Sequence, residues 1–148
     1  MYTLSEQEVP ETGRFPLLGT PWSIRLGRAS RGRTALEVYA GDAVLDVVVA
    51  SALHPAVLHG AHTQASDGRE LTLAWGVLGE GGASGPPTVV TFTRGVLRTA
   101  RSDARATVVG ESFWLCVAEG RGRTVTVTRA DGTVERRRVD RGNVVAKG

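Results

Sequence analysis

Three histidines sit within one short stretch of this 148-residue chain, "SALHPAVLHGAHTQ": His54, His59 and His62. Three imidazoles can hold zinc with a fourth position open, and copper can use the same ligands. Coordination requires their nitrogens to converge, so local geometry decides. On a regular strand His59 and His62 point to opposite faces. In a helical turn they share a face, but Pro55 displaces His54. Only an irregular loop gathers all three. The simpler expectation is that they are polar residues of a connecting segment, with no cofactor. A zinc or copper centre at His54, His59 and His62 is the alternative.

The second group is basic. "VERRRVDR" (134–141) carries Arg136, Arg137, Arg138 and Arg141. On a strand, Arg136 and Arg138 share a face with Val134, while Arg137 shares the other with Glu135 and Val139. An RNA-binding sheet would interleave exposed aromatics with such arginines, and this segment has none. The run therefore reads first as an edge strand kept from aggregating by charge. An anionic partner such as nucleic acid is the alternative.

Other chemistry is weakly signalled. Ser51 or Ser66, a histidine, and Asp46 or Asp67 make a triad on paper, but no G-x-S-x-G elbow is present. No glycine-rich phosphate loop opens a helix. Glu111 and Glu119 bracket an apolar run without being placed as a pair. Cys116, the single cysteine, lies inside "SFWLCVA" and reads as a buried, inert core residue. Trp22, Trp75 and Trp114 each fall on an apolar strand face and read as core rather than as a carbohydrate platform. Asp46, within "VLDVVV", needs a partner, and an arginine from a neighbouring strand is expected. No enzymatic activity is expected.

The elements that must position these residues have a period of two. "WSIRL" sets Trp22, Ile24 and Leu26 on one face, and "TALEVYA" sets Leu36 and Val38 opposite Glu37 and Tyr39. "TVTVT" (124–128) puts Val125 and Val127 inward and threonines outward, with "TVERRRV" as its partner and "NVVA" closing the domain. "LTLAWGVL" places Leu71, Leu73, Trp75 and Val77 on one face and small residues opposite, where another layer can approach closely. "SFWLCVA" is apolar on both faces, as is "AVLDVVVA" apart from Asp46, so both are expected to be central. Asp67-Gly68 and Asp131-Gly132 fall between extended segments as hairpin turns. "EGGASGPP" (80–87) reads as a flexible loop, and residues 1–18 as an irregular N-terminal segment. The only helix candidate, "ASALHPAVLHGAH", is interrupted by Pro55 and Gly60.

The totals suit an ordinary globular chain, with 41% hydrophobic and 22% charged residues. Net charge is +3, and 17 of the 18 basic residues are arginine, a bias that reads as the codon usage of a GC-rich, bacterial-type genome. Residues 1–11 carry three glutamates and no positive charge, whereas residues 121–148 are net +5. The N-terminus has no basic-then-apolar leader, and no apolar run reaches the roughly 18–20 residues of a membrane span. A cytoplasmic location is expected from the chain as written, with an excised ectodomain as the other reading.

Together these features predict one all-β domain over 1–148, an antiparallel, immunoglobulin-like sandwich of two sheets, with a jelly roll or partly open barrel as alternatives. The expected role is non-catalytic: a protein-interaction or structural module for an unidentified protein partner, a homodimer among the options. Nucleic acid is a less favoured partner, and no membrane insertion is expected.

Overall fold

The computed structural model describes residues 13–50, 57–78, 89–94, 100–129 and 132–141. The alternating segments form three stacked sheets. A front sheet orders β1 (Phe15–Pro16), β2 (Trp22–Arg28), β3 (Thr34–Ala40) and β4 (Ala43–Val49) side by side, with a 3₁₀ turn at Ser30–Gly32 between β2 and β3. The next strands in the chain are β5 (Leu58–Ser66), β6 (Arg69–Val77), β7 (Val89–Arg94), β8 (Ala100–Ala104), β9 (Thr107–Val109) and β10 (Phe113–Glu119). They are followed by β11 (Thr124–Thr128), β12 (Val134–Arg138) and β13 (Asp140–Arg141). The central sheet has the order β13-β5-β6-β10-β9, and the back sheet β12-β11-β7-β8. All pairings are antiparallel except that of β13, which runs parallel to β5. Chain passes directly from β8 to β9 and from β12 to β13, so the back and central sheets are joined at both of their edges.

The all-β sandwich is thus present, with three sheets in place of two. The reason lies in β6 and β10. Leu71, Leu73, Trp75, Val77, Phe113, Leu115 and Val117 face the front sheet, where they pack with Trp22, Ile24, Leu26, Leu36 and Val38. Ala74, Trp114, Cys116 and Ala118 face the back sheet and pack with Val90, Phe92, Val125 and Val127. Strands apolar on both faces need cover on both, and two cores result.

The run "AVLDVVVA", expected at the centre, instead forms β4 at the edge of the front sheet. Val44 and Val47 are 55% and 53% exposed, and only Val48 is fully buried. A bulge at Leu45 shifts the register between Asp46 and Val44, and an inward carboxylate plus a bulge are devices that blunt a sheet edge. The partner of Asp46 is the Trp75 indole, whose Nε1 donates to Oδ2 at 2.8 Å, in place of the expected arginine.

All three tryptophans are core residues, as expected, and each indole N–H has an acceptor. Trp22 Nε1 donates to His62 Nδ1 at 3.0 Å, and Trp114 Nε1 to the Val57 carbonyl at 3.2 Å. Two of the three indoles therefore tie the front sheet to the central one. Cys116 is buried, and burial pushes its thiol up to about 12. Buried Thr72 donates to the Gly120 carbonyl at 2.7 Å and accepts from Gly122 N–H at 2.8 Å, closing one end of the back core.

Turn chemistry follows the sequence at the first hairpin, where Asp67 and Gly68 have φ of 52° and 77°. At the second, Gly132 has φ of 90°, and Asp131 lies outside the described residues. So do the 80–87 segment, "NVVA" and residues 1–12, while Phe15–Pro16 of the N-terminal segment pairs with β2. The interrupted helix candidate is strand from Leu58 onward.

Small residues on β5 and β6 make room for the tryptophans opposite them in the central sheet. A Cβ on Gly76 would lie 1.7 Å from the Val57 carbonyl and 2.7 Å from Trp114 Nε1, and one on Gly60 would lie 2.4 Å from the Trp75 ring. A Cβ on Gly27 would meet nothing nearer than 3.7 Å. Gly76→Ala is therefore expected to cost about 3 kcal/mol in urea unfolding, the upper range for overpacking, with Gly27→Ala near wild type. Equal stabilities for the two variants would contradict the packing described.

Candidate functional site

The histidines separate structurally. His62 is 4% exposed on β5, facing the front sheet, where its Nδ1 accepts the Trp22 indole proton and the rings meet edge-on at 6.0 Å. That bond fixes the neutral tautomer with the proton on Nε2. His59 is the extra residue of a bulge on the same strand, between Leu58 opposite Gly76 and Gly60 opposite Trp75. His54 lies outside the described residues. Among the described residues, no group of three or more histidine, cysteine or acidic side chains is placed to hold a metal ion.

The arginines of 134–141 lie on the edge strands of two sheets. Arg136, Arg137 and Arg138 are exposed on β12, and Arg141 is exposed on β13 beside Thr63. Register across the back sheet is unshifted, so partners in a row share a face. The inward rows contain Val125, Val127, Val90 and Phe92 of the back core. The outward rows are polar. One runs Arg138, Thr124, Thr93, Arg101, and the next runs Arg136, Thr126, Thr91, Asp103. With Thr128 beside Val134, the outward face is a floor of half-buried threonines rimmed by exposed arginines on both edges. From Arg138 to Arg101 the floor spans three strand spacings, about 14 Å.

The charges on this face are open. Arg101, Arg136, Arg137, Arg138 and Arg141 make no hydrogen bond or ion pair with any described residue. Asp103 accepts from Thr91 Oγ1 at 2.8 Å. The outer face of the front sheet is the opposite case. There Arg25 pairs with Glu37 at 3.1 Å, Tyr39 donates to Glu37 at 2.5 Å, and Arg14 stacks over the Tyr39 ring at 4.7 Å. Elsewhere Arg14 meets Asp42, Arg69 meets Glu119, and Arg121 meets Glu70.

Glu135, on the inward side of β12, fixes that strand to the central sheet. Its carboxylate accepts the N–H groups of Val57 and Leu58 at 3.0 and 2.9 Å and pairs with Arg129. Burial pushes its pKa upward, but the bonds from Leu58, Val57 and Arg129 outweigh it and hold the carboxyl below its ordinary value. The arginine rim thus stands on an anchored strand.

The division of the arginine run between two faces was legible in the sequence. The addition of Arg101 and of the β7 threonines was not. Its signal was the repeated T-x-T in "TVVTFT" and "TVTVT", which becomes a surface only once β7 and β11 are known to pair. No family model, curated protein or solved structure matches this chain. Among the described residues, no helix is long and apolar enough to cross a membrane.

Burial pushes His62 below the ordinary histidine value of 6.5, while Asp140, its neighbour across the β13–β5 pair, works the other way. A folded-state pKa below the unfolded one contributes stability that is fully present above 6.5 and lost as pH falls from there toward the folded value. Unfolding free energy should therefore drop by up to about 1.4 kcal/mol per pH unit below that point. Urea titrations at stepped pH should show this slope, and His62→Gln should flatten it. An unchanged slope in the variant would assign the pH dependence elsewhere.

Proposed function

We propose that this chain is a non-catalytic protein-interaction module that engages an acidic protein partner through the outward face of its back sheet. The observation that carries this reading is the set of uncompensated arginines around the threonine floor: Arg101, Arg136 and Arg138 on the face, with Arg137 and Arg141 at its edge. Solvated guanidinium groups with no partner among the described residues are available to pair bidentately with carboxylates. Threonine supplies a methyl and a hydroxyl, which suits side chains of mixed polarity. A protein is favoured over single-stranded nucleic acid because the outward rows hold no aromatic ring on which a base could stack.

The test is binding of fluorescent poly-L-glutamate, with single-stranded DNA as competitor. Poly-L-glutamate should bind in low salt and weaken as salt rises. The double variant Arg136→Ser/Arg138→Ser should bind about tenfold more weakly, a loss of about 1.4 kcal/mol, with an unchanged unfolding midpoint. Equal binding by wild type and variant would remove the proposed surface. DNA displacing the polypeptide at lower concentration would replace the protein partner with nucleic acid.

A further inference from the structure

We infer that the acidic partner is a second copy of this chain, whose residues 1–12 lay the carboxylates of Glu6 and Glu8 on Arg136 and Arg138. The inference rests on the proposed acidic-partner reading and names the partner. Among the described residues, Glu37, Asp42, Glu70, Glu119 and Glu135 are paired with arginines of their own chain. Residues 1–12, which lie outside the described residues, carry Glu6, Glu8 and Glu11 and no basic side chain. Their charge is opposite to that of the arginine face, and so is their spacing matched to it. Arg136 and Arg138 are two residues apart on β12 and rise on the same outward face, about 7 Å from one another along the strand. Glu6 and Glu8 are also two residues apart, so an extended segment presents both on one side at the same interval, with Gln7 turned away. Two carboxylates can thus meet two guanidinium groups in step. Asp103, at the far end of the row that starts at Arg136, disfavours a carboxylate on the β8 side and so directs the segment to the β12 side.

Chain length favours a contact between copies over one within a copy. Arg14 is held at the front sheet, where it donates to the Gly41 carbonyl at 2.8 Å, meets Asp42 at 3.2 Å and stacks over Tyr39 at 4.7 Å. The arginine face looks outward from the back sheet, two inter-sheet spacings away, or about 20 Å. Glu8 precedes Arg14 by six residues, which span at most about 22 Å when fully extended. That leaves no length to pass round the edge of the stack and lie along β12. Between two copies this limit disappears. Two arginine faces brought together would set cation against cation, so the contact joins unlike surfaces, the segment of one copy and the face of another.

Two measurements test this. In the first, a labelled, capped peptide of residues 1–12 is titrated with the protein in low salt. A second peptide carrying Gln7→Glu/Glu8→Gln keeps the charge but sets those two carboxylates on opposite sides of an extended chain. It should bind about threefold or more weakly than the natural sequence. In the second, sedimentation equilibrium of the full chain should show mass rising with concentration in low salt and returning to that of the monomer in high salt. Glu6→Gln/Glu8→Gln and Arg136→Ser/Arg138→Ser should each self-associate about tenfold more weakly. An equal mixture of the two variants should pair as tightly as wild type, because one supplies the segment and the other the face. A wild-type chain that stays monomeric at every concentration would overturn the inference. So would a mixture no more associated than either variant alone, or equal binding of the two peptides. Binding of poly-L-glutamate beside any of these results would leave acidic recognition standing with a different partner, and its failure would remove both readings.

Discussion

A strand that is apolar on both faces must be covered on both, and β6 and β10 are such a pair. Phe113, Trp114 and Leu115 follow one another in sequence and are all 0% exposed, although they alternate between the two cores. Each large side chain buried this way contributes about 1.5–3 kcal/mol, so leaving either face open would forfeit much of the stability of a chain this size. The front sheet closes one side and the back sheet the other. Small residues on the central strands make room for the tryptophans beside them in the same sheet, Gly60 against Trp75 and Gly76 against Trp114.

Indole N–H groups make the stack specific. A buried tryptophan brings one donor into an apolar layer, and that donor needs an acceptor. Trp22 reaches from the front sheet to His62 on the central sheet, and Trp75 reaches back from the central sheet to Asp46. The two bonds run in opposite directions across one interface and fix its register. They also account for a histidine and an aspartate at positions that sequence alone marks as chemical. On the outside, the front sheet closes its charges among Arg14, Glu37, Tyr39 and Arg25, whereas Arg101, Arg136 and Arg138 of the back sheet have no partner among the described residues. Burial is concentrated on the two faces of the middle layer, and the outward face of the back sheet is left polar.

Much of the fold was legible. Alternation in "WSIRL", "TALEVYA" and "TVTVT" gave the inward sets correctly, the two-faced apolarity of "SFWLCVA" placed β10 at the centre, and Asp67-Gly68 marked the β5–β6 hairpin. The number of sheets was less legible, because apolarity on both faces says that a strand is covered without saying by what. "AVLDVVVA" misled because composition does not reveal the bulge at Leu45, and because Asp46 turns inward to an indole instead of marking a solvent face. The candidate site was half legible. Arg136–Arg138 stood out as a run, but Arg101 lies 35 residues away from Arg136 and joins the rim only through the pairing of β11 with β7 and of β7 with β8.

Native-state hydrogen exchange read amide by amide tests the central claim most directly. If the doubly covered strands carry the stability, amides within the β6–β10 pairing should exchange only through global unfolding. Those of β4 and β12, at sheet edges, should open at much lower free energy. Protection of β4 or β12 at or above the level of β6 and β10 would contradict an architecture that rests on its middle sheet.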